Sequence, residues 1–345
     1  MTTELREPVL LGVDGGNTKT IAVAAAGDGT ILGAGRLLRR SDIYAIEPGE
    51  ALAIFAEVAD RALRNVTPGS AVVAGFSLAG ADWPEDHELL ERLLGERWPH
   101  PIVVNDAIGA LRGALPEGPA VVIACGTGAA TGARGPDGVT WHTSFWQEAQ
   151  GGHELGLLAV RAATRSELGI DPPTSMTERL LAATGEPSVE ALVHHASARA
   201  VVDRRDPASL AWVLLDAADD GDHAAAEIVA RQGRELGRTA LAAARRVAID
   251  LDAPFGLALT GGVFRHNARA LRHAILATVR DGAPNVEVRP PELEPAGGAL
   301  LLAFDAAGLA SGPEVRGRIA AGLASHDLYE THPARIAAAE EATAP

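Results

Sequence analysis

Two glycine-rich stretches and a carboxylate between them carry the chemistry this sequence offers. Asp14-Gly15-Gly16-Asn17-Thr18-Lys19-Thr20 follows an apolar run, Pro8 to Val13. Glycines at such a turn let backbone N–H groups approach an anion with no side chain in the way. Asp14, at the end of the run, stands where a carboxylate can hold Mg²⁺ through water. The stretch has neither the Gly-x4-Gly-Lys-Ser/Thr order of a Walker loop nor Gly-x-Gly-x-x-Gly, and the same residues also suit a plain hairpin turn. Cys125-Gly126-Thr127-Gly128 is a second small-residue turn, after the apolar Ala120 to Ala124. Two such turns, one per domain, could grip a phosphate chain from both sides with N–H groups and hydroxyls. Cys125 itself reads as a small buried hydrophobe.

Asn105-Asp106 sits between an apolar triplet, Ile102 to Val104, and a helix starting near Ala107. Asp106 suits helix N-capping. It equally suits a general base that takes the proton of a substrate hydroxyl as a γ-phosphoryl group arrives. Thr260-Gly261-Gly262-Val263 could let a flat adenine ring lie against backbone, or simply turn a strand into a helix. Trp146 and the loop Gly151-Gly152-His153-Glu154, with Gly156 beyond it, precede a long helical region; His153 reads first as a satisfied polar residue.

The elements that must hold these residues follow from periodicity. Pro8 to Val13, Ile21 to Ala26 and Thr30 to Ala34 read as three strands joined by turns at Gly15-Gly16 and Gly27-Asp28-Gly29. Ala51 to Arg64 and His87 to Arg97 have helical spacing; Ala71 to Leu78 reads as a buried strand. The opening theme then returns. Ala120 to Ala124, the Cys125 to Gly128 turn and a turn at Pro136-Asp137-Gly138 predict a second, related hairpin unit roughly 110 residues later. Residues 155–246 are almost wholly helical in pattern. Phe255 to Leu259 and Val286 to Val288 read as strands, Asn267 to Arg280 and Ala299 to Ala307 as helices, and residues 337–345 as frayed.

At 345 residues the chain exceeds what one core usually organises. The expectation is α/β, in two domains: residues 1–115, completed by a C-terminal helix over 311–336, and residues 116–310, carrying a helical insertion over 155–246. The net charge of −15 argues against nucleic acid or an anionic membrane as partners. One cysteine allows no intrachain disulfide and no cysteine-ligated zinc or iron–sulfur site within one chain. Without an apolar leader or a stretch long enough to span a bilayer, a cytoplasmic setting is expected, with a homodimer possible.

DGGNTKT, Asn105-Asp106, CGTG with its Pro136-Asp137-Gly138 turn, and LTGG resemble in order and spacing the phosphate 1, connect, phosphate 2 and adenosine motifs of the actin, hexokinase and heat-shock-chaperone ATPase superfamily. Within it the chain is similar to the BadF/BadG/BcrA/BcrD ATPase family, in its N-acetylglucosamine kinase branch, from about Val9 to Leu309. The resemblance implies two actin-like, ribonuclease H-like domains with an active-site cleft between them, and ATP, Mg²⁺ and a sugar as ligands. It assigns Asp14 to the metal, and Gly15, Gly16, Asn17, Thr18, Lys19, Gly126, Thr127 and Gly128 to phosphates. Gly261 and Gly262 fall to adenosine and Asp106 to base catalysis. Ser41, Asp42, Asn105, Asp106, Thr127, Trp146, Gly152, His153 and Glu154 fall to the sugar.

Departures concern the sugar side. Ala129-Ala130 replaces polar residues of the branch, Gly152-His153-Glu154-Leu155 stands for Gly-Asp-Glu-Gly, and Asp42 stands where Asn is expected. Extra acids at Asp42, Glu148 and Glu154 suit a free amine, as in glucosamine. The implied activity is an ATP-dependent sugar kinase. An ATPase activator of a dehydratase or reductase, or a non-catalytic nucleotide or sugar sensor, is the alternative.

Overall fold

The computed structural model describes residues 8–148, 150–197, 206–266 and 268–329. The described residues form two compact units, one running to Gly109 and resuming at Pro295, the other spanning Ala110–Glu294.

In the first unit β1 (Val9–Gly15), β2 (Thr20–Ala25) and β3 (Ile31–Leu37) form an antiparallel meander. After α1 (Pro48–Leu63), β4 (Val72–Leu78) pairs parallel to β1. After α2 (Pro84–Gly95), β5 (Ile102–Asn105) pairs parallel to β4. The sheet order is β3-β2-β1-β4-β5. α3 (Asp106–Ala114) begins directly after β5, and the division between the units falls inside it.

The second unit repeats this plan. β6 (Ala120–Cys125), β7 (Ala129–Arg134) and β8 (Thr140–His142) form the meander, followed by a 3-10 turn at Ser144–Trp146. Five helices follow: α4 (Gly152–Glu167), α5 (Met176–Thr184), α6 (Val189–Ser197), α7 (Ala211–Asp219) and α8 (His223–Arg246). β9 (Gly256–Thr260) then pairs parallel to β6. α9 (Gly262–Arg265) and α10 (Arg269–Gly282) lead to β10 (Glu287–Val288), parallel to β9. The order β10-β9-β6-β7-β8 is the first sheet's topology with new strands.

The duplication extends to single hydrogen bonds. In the β2–β3 turn Ala26 N donates to Thr30 O, Gly29 N to Ala26 O, and Thr30 N to Asp28 Oδ1. In the β7–β8 turn Gly135 N donates to Val139 O, Gly138 N to Gly135 O, and Val139 N to Asp137 Oδ1. Gly29 and Gly138 both have positive φ, 89° and 84°. An Asp that bonds the backbone two residues on, followed by a left-handed Gly, is a turn whose chemistry is written locally, which is why the repeat is legible in sequence.

α11 (Pro295–Ala306) and α12 (Pro313–Ala324) complete the first unit. β1 is sealed on both faces. Phe55, Ile54 and Val58 of α1 belong to the core cluster that holds Leu11 and Val13, and α11 lies against the sheet at Gly12 and Gly75. A Cβ on Gly12 would stand 2.2 Å from Leu300 N, and one on Gly75 2.6 Å from Ala299 O. Only glycine admits backbone that close.

Three expectations are corrected here. α11 was expected in the second domain but belongs to the first, because its nearly all-round apolar surface, Ala299 to Phe304, is buried on β1 and β4. The division falls at residue 109 rather than 115: Ala110, Leu111, Ala114 and Leu115 pack with Ala120, Val122 and Ala258. The C-terminal helix spans Pro313–Ala324 rather than 311–336; residues 330–345, including the stretch expected to fray, lie outside the described residues, as does Asn267. No described helix is long and apolar enough to cross a membrane.

Candidate active site

The first unit gathers its predicted residues at the C-terminal ends of its parallel strands. The register sets Gly15 of β1 beside Leu78 of β4, and Leu78 beside Asn105 of β5. Asp14, the loop after Leu78 and Asp106 therefore emerge from the same edge of one sheet. Such an edge is where open α/β sheets bind ligands.

The turn after β1 is braced from below. Gly16 N donates to Lys19 O at 3.1 Å, Ala79 N donates to Gly15 O at 2.8 Å, and Ser41 N donates to Gly16 O at 3.1 Å. Ser41 is 1% exposed, and its hydroxyl accepts from Thr20 Oγ1 at 2.9 Å. This places Ser41 beneath the turn. Asn17 and Thr18 stand exposed above it. Lys19 Nζ lies 4.7 Å from the centre of the Tyr329 ring, a cation–π contact.

Asn105, 2% exposed, does the capping for which Asp106 also has the right chemistry. Its Oδ1 accepts from Ala107 N at 2.9 Å, and its Nδ2 donates to Asp82 Oδ1 at 2.7 Å. Asp106 thus opens α3 with a carboxyl that its helix does not require. Burial pushes that carboxyl up to about 7, helped by the charges of Asp14, Asp82 and Asp42 and opposed by the Ala107 N–H. A buried acid ringed by like charges keeps its proton longer. The loops carrying the neighbouring acids are themselves fixed. Asp42 Oδ1 accepts from Tyr44 N, while Asp86 Oδ2 collects Tyr44 Oη, Trp83 N and Asp82 N at 2.9, 2.8 and 3.2 Å.

Asp82 is a site residue that sequence reading missed. No local signal marked it: Asp82 stands four residues beyond the end of β4, whereas Asp14 lies within β1. The donors here are all hard oxygens. Asp14, whose charge with that of Asp82 raises the proton affinity of Asp106, fits a magnesium ion that takes one or two carboxylates together with phosphate oxygens and water. No cluster of three or more His, Cys, Asp or Glu able to hold a metal occurs among the described residues, so phosphate would have to complete the shell.

In the second unit the turn after β6 is tied to the start of α4. Gly126 N donates to Gly128 O at 2.9 Å, Gly152 N to Gly126 O at 2.8 Å, and His153 N to Thr127 O at 2.9 Å. A Cβ on Gly151 would stand 2.0 Å from Gly128 O. Gly126, Thr127, Gly128, Gly152 and His153 are thus one assembly. Beside Gly126 and Gly128 a Cβ would meet nothing within 4 Å, so open space adjoins the turn. His153 is exposed and pairs with Asp206 at 3.2 Å; Glu154 accepts from Gln150 N at 2.7 Å. Cys125 is buried, which pushes its thiol up to about 12.

Gly261 follows β9, which lies beside β6. Its φ of 97° and its approach to Cys125, whose O would be 2.4 Å from a Cβ, both demand glycine. A cavity of about 450 Å³ opens there, lined by Thr260, Gly261, Phe264, Arg265, Arg272 and Pro290 among others. Trp146 does not join this group. It is 65% exposed, and its ring lines a different cavity with Trp141 and Arg246.

Two sheets with the same strand order, each ending its first strand in a small-residue turn, define an actin-like phosphotransferase fold. The chain belongs to the BadF/BadG/BcrA/BcrD ATPase family, whose match spans residues 11–303. An N-acetyl-D-glucosamine kinase of Dictyostelium discoideum is 26% identical over 322 residues, covering 87% of this chain and 99% of the relative. An N-acetylmuramic acid/N-acetylglucosamine kinase of Clostridium acetobutylicum is 28% identical over 238 residues, 66% of this chain and 76% of that one. Among solved structures, a candidate N-acetylglucosamine kinase from Chromobacterium violaceum superposes with a TM-score of 0.67 at 24% identity, covering 86% of this chain and 99% of that one. A Streptomyces griseus glucokinase of the ROK family, in complex with glucose and AMPPNP, gives 0.56 at 18% identity, over 88% and 100%.

Proposed function

We propose that the chain is a cytoplasmic, ATP-dependent kinase that phosphorylates a hydroxyl of a hexose or amino sugar, N-acetylglucosamine or glucosamine foremost. The observation that carries this reading is Asp106, a carboxyl raised to about 7 at a strand-end site. A general base works best when its pKa lies near the working pH. Both curated relatives named above act on N-acetylated amino sugars by their names, which supports the acceptor class.

In this reading Asp106 takes the proton of the acceptor hydroxyl, that oxygen bonds to the γ-phosphorus, and the bond from phosphorus to the β–γ bridging oxygen breaks, leaving ADP. The N–H groups of Gly16 and Gly126 are spent closing their own turns, so the phosphates fall to Asn17, Thr18, Thr127 and Gly128. Gly261, Gly262 and the cavity beside them receive adenosine. Asp14 holds Mg²⁺, which when bound neutralises charge on the phosphate oxygens. Asn105, Asp42 and Asp82 orient the sugar by hydrogen bonds, and Ser41 supports the turn from beneath. The Gly152–Glu154 segment, bonded to the 126–128 turn, is assigned to the sugar.

The reading is tested with the purified chain, ATP, Mg²⁺ and a panel of glucose, glucosamine, N-acetylglucosamine and N-acetylmuramic acid, following ADP release and the phosphorus spectrum of the product. ADP formed at the same rate with and without every sugar would overturn it.

A further inference from the structure

The cavity beside Trp146 has chemistry of its own. It measures about 470 Å³ and is lined by Trp141, Thr143, Trp146, Thr239, Ala242, Arg245 and Arg246. Its size lies in the range of small-molecule sites. The Arg246 guanidinium stands 5.6 Å from the centre of the Trp141 ring and 6.0 Å from that of Trp146. Stacking of this kind holds a guanidinium by its face and leaves its edge, where the N–H groups lie, for a ligand. In a chain of net charge −15, none of the lining residues is acidic. Among the described residues no carboxylate pairs with Arg245 or Arg246, whereas Arg238, two turns back on α8, is paired with Glu235.

The place is also separate from the phosphate turn of its unit. Trp141 pairs with Ala133 across the β7–β8 ladder, four residues along β7 from Ala129, or about 13 Å at the usual rise of a strand. The backbone here is fixed: Thr131 N donates to Thr143 Oγ1, and both threonine hydroxyls donate to Gln147 Oε1, all at 2.9 Å. Gln147 is buried, so the Trp141 to Trp146 segment is held to the sheet from within.

We infer that this cavity is a second ligand site, for a small anionic carbohydrate. Its phosphate or carboxylate meets Arg245 and Arg246, and its apolar ring face lies on an indole, with Thr143 and Thr239 near its hydroxyls. The inference does not depend on the kinase reading, because it needs binding and no turnover.

The test uses the full chain with the nucleotide site saturated by a non-hydrolysable ATP analogue. Glucose 6-phosphate, glucuronate and glucose are titrated separately by calorimetry, and light scattering follows the oligomeric state. Saturable binding of the phosphate probe, the carboxylate probe or both is expected, whereas glucose, which the proposed active site also receives, should bind the native chain and the arginine variant below alike. The probe that binds names the anion. The double substitution Arg245→Gln/Arg246→Gln, on exposed helix positions, should weaken anion binding by about tenfold or more with an unchanged melting temperature. Trp141→Phe/Trp146→Phe should weaken it while keeping the arginines. Three results each overturn the inference: no anionic probe binds, the arginine substitutions leave binding intact, or they instead dissociate an oligomer.

Discussion

Asn105 donates its side-chain amide to Asp82 at 2.7 Å while its carbonyl oxygen accepts from Ala107 N at 2.9 Å. One buried residue thereby starts a helix and fixes a neighbouring acid, which leaves Asp106 available for a proton. Asn105→Ala removes both bonds. Losing the cap costs about 0.5–2 kcal/mol, read as a lower urea midpoint. Asp82 is released as well, so the KM for the sugar should rise more than the stability loss explains; an unchanged KM would argue that Asp82 has no part in the site.

Asp106→Asn should lower the rate of transfer by about 10²–10⁴-fold, the usual contribution of a general base, with nucleotide affinity kept. Steady-state assays and nucleotide titration separate the two effects. Retention of full activity removes Asp106 from the mechanism.

The same substitution has a sign in stability. A carboxyl whose pKa rises on folding binds more protons in the native state, so its contribution is favourable at low pH and declines as pH climbs from the unfolded value, about 4, towards the folded one, about 7 here. Asp106→Asn should therefore melt higher than the native chain at pH 8 and gain little at pH 4. In activity the order is reversed: kcat/KM of the native chain should fall on the acid side of a midpoint near 7, since the base must be ionised. Thermal scans and rate profiles over pH 5–9 check both.

Gly261→Ala places a Cβ 2.4 Å from Cys125 O at a φ of 97°. Strain of this kind costs of the order of 1–3 kcal/mol, and it falls where adenosine is proposed to bind. Both melting temperature and ATP affinity should drop. Gly262→Ala, whose Cβ would meet only the Arg265 side chain at 3.6 Å, should keep its fold and is the control.

Gly151→Ala would press a Cβ to within 2.0 Å of Gly128 O and so displace the 126–128 turn from the start of α4. The expected result is a raised KM for ATP together with a raised KM for sugar, because both loops are parts of one assembly. A change confined to one substrate would show that the two loops work independently.

Helix starts show how local chemistry can mislead by a turn. The apolar spacing points to Ala51, His87 and Ala299, whereas α1, α2 and α11 begin at Pro48, Pro84 and Pro295. Proline at the first helical position lacks only an N–H that would be orphaned anyway, so each helix extends past its apolar stripe.

The sequence by itself determined the turns and their order: Asp28-Gly29 and Asp137-Gly138 bond within a few residues of themselves, and Ile21 to Ala25, the strand that enters the first of them, is a continuous buried apolar run. Those are short-range matters of backbone torsion, hydrogen bonding and burial, which residue types encode directly. Only the tertiary structure decided that α11 packs on β1 and β4, that Asp82 joins Asp106, and that Trp146 faces Arg246 rather than the phosphate turn. Each of these depends on which strand lies beside which and how two elements distant in the chain pack, and no residue spacing records that.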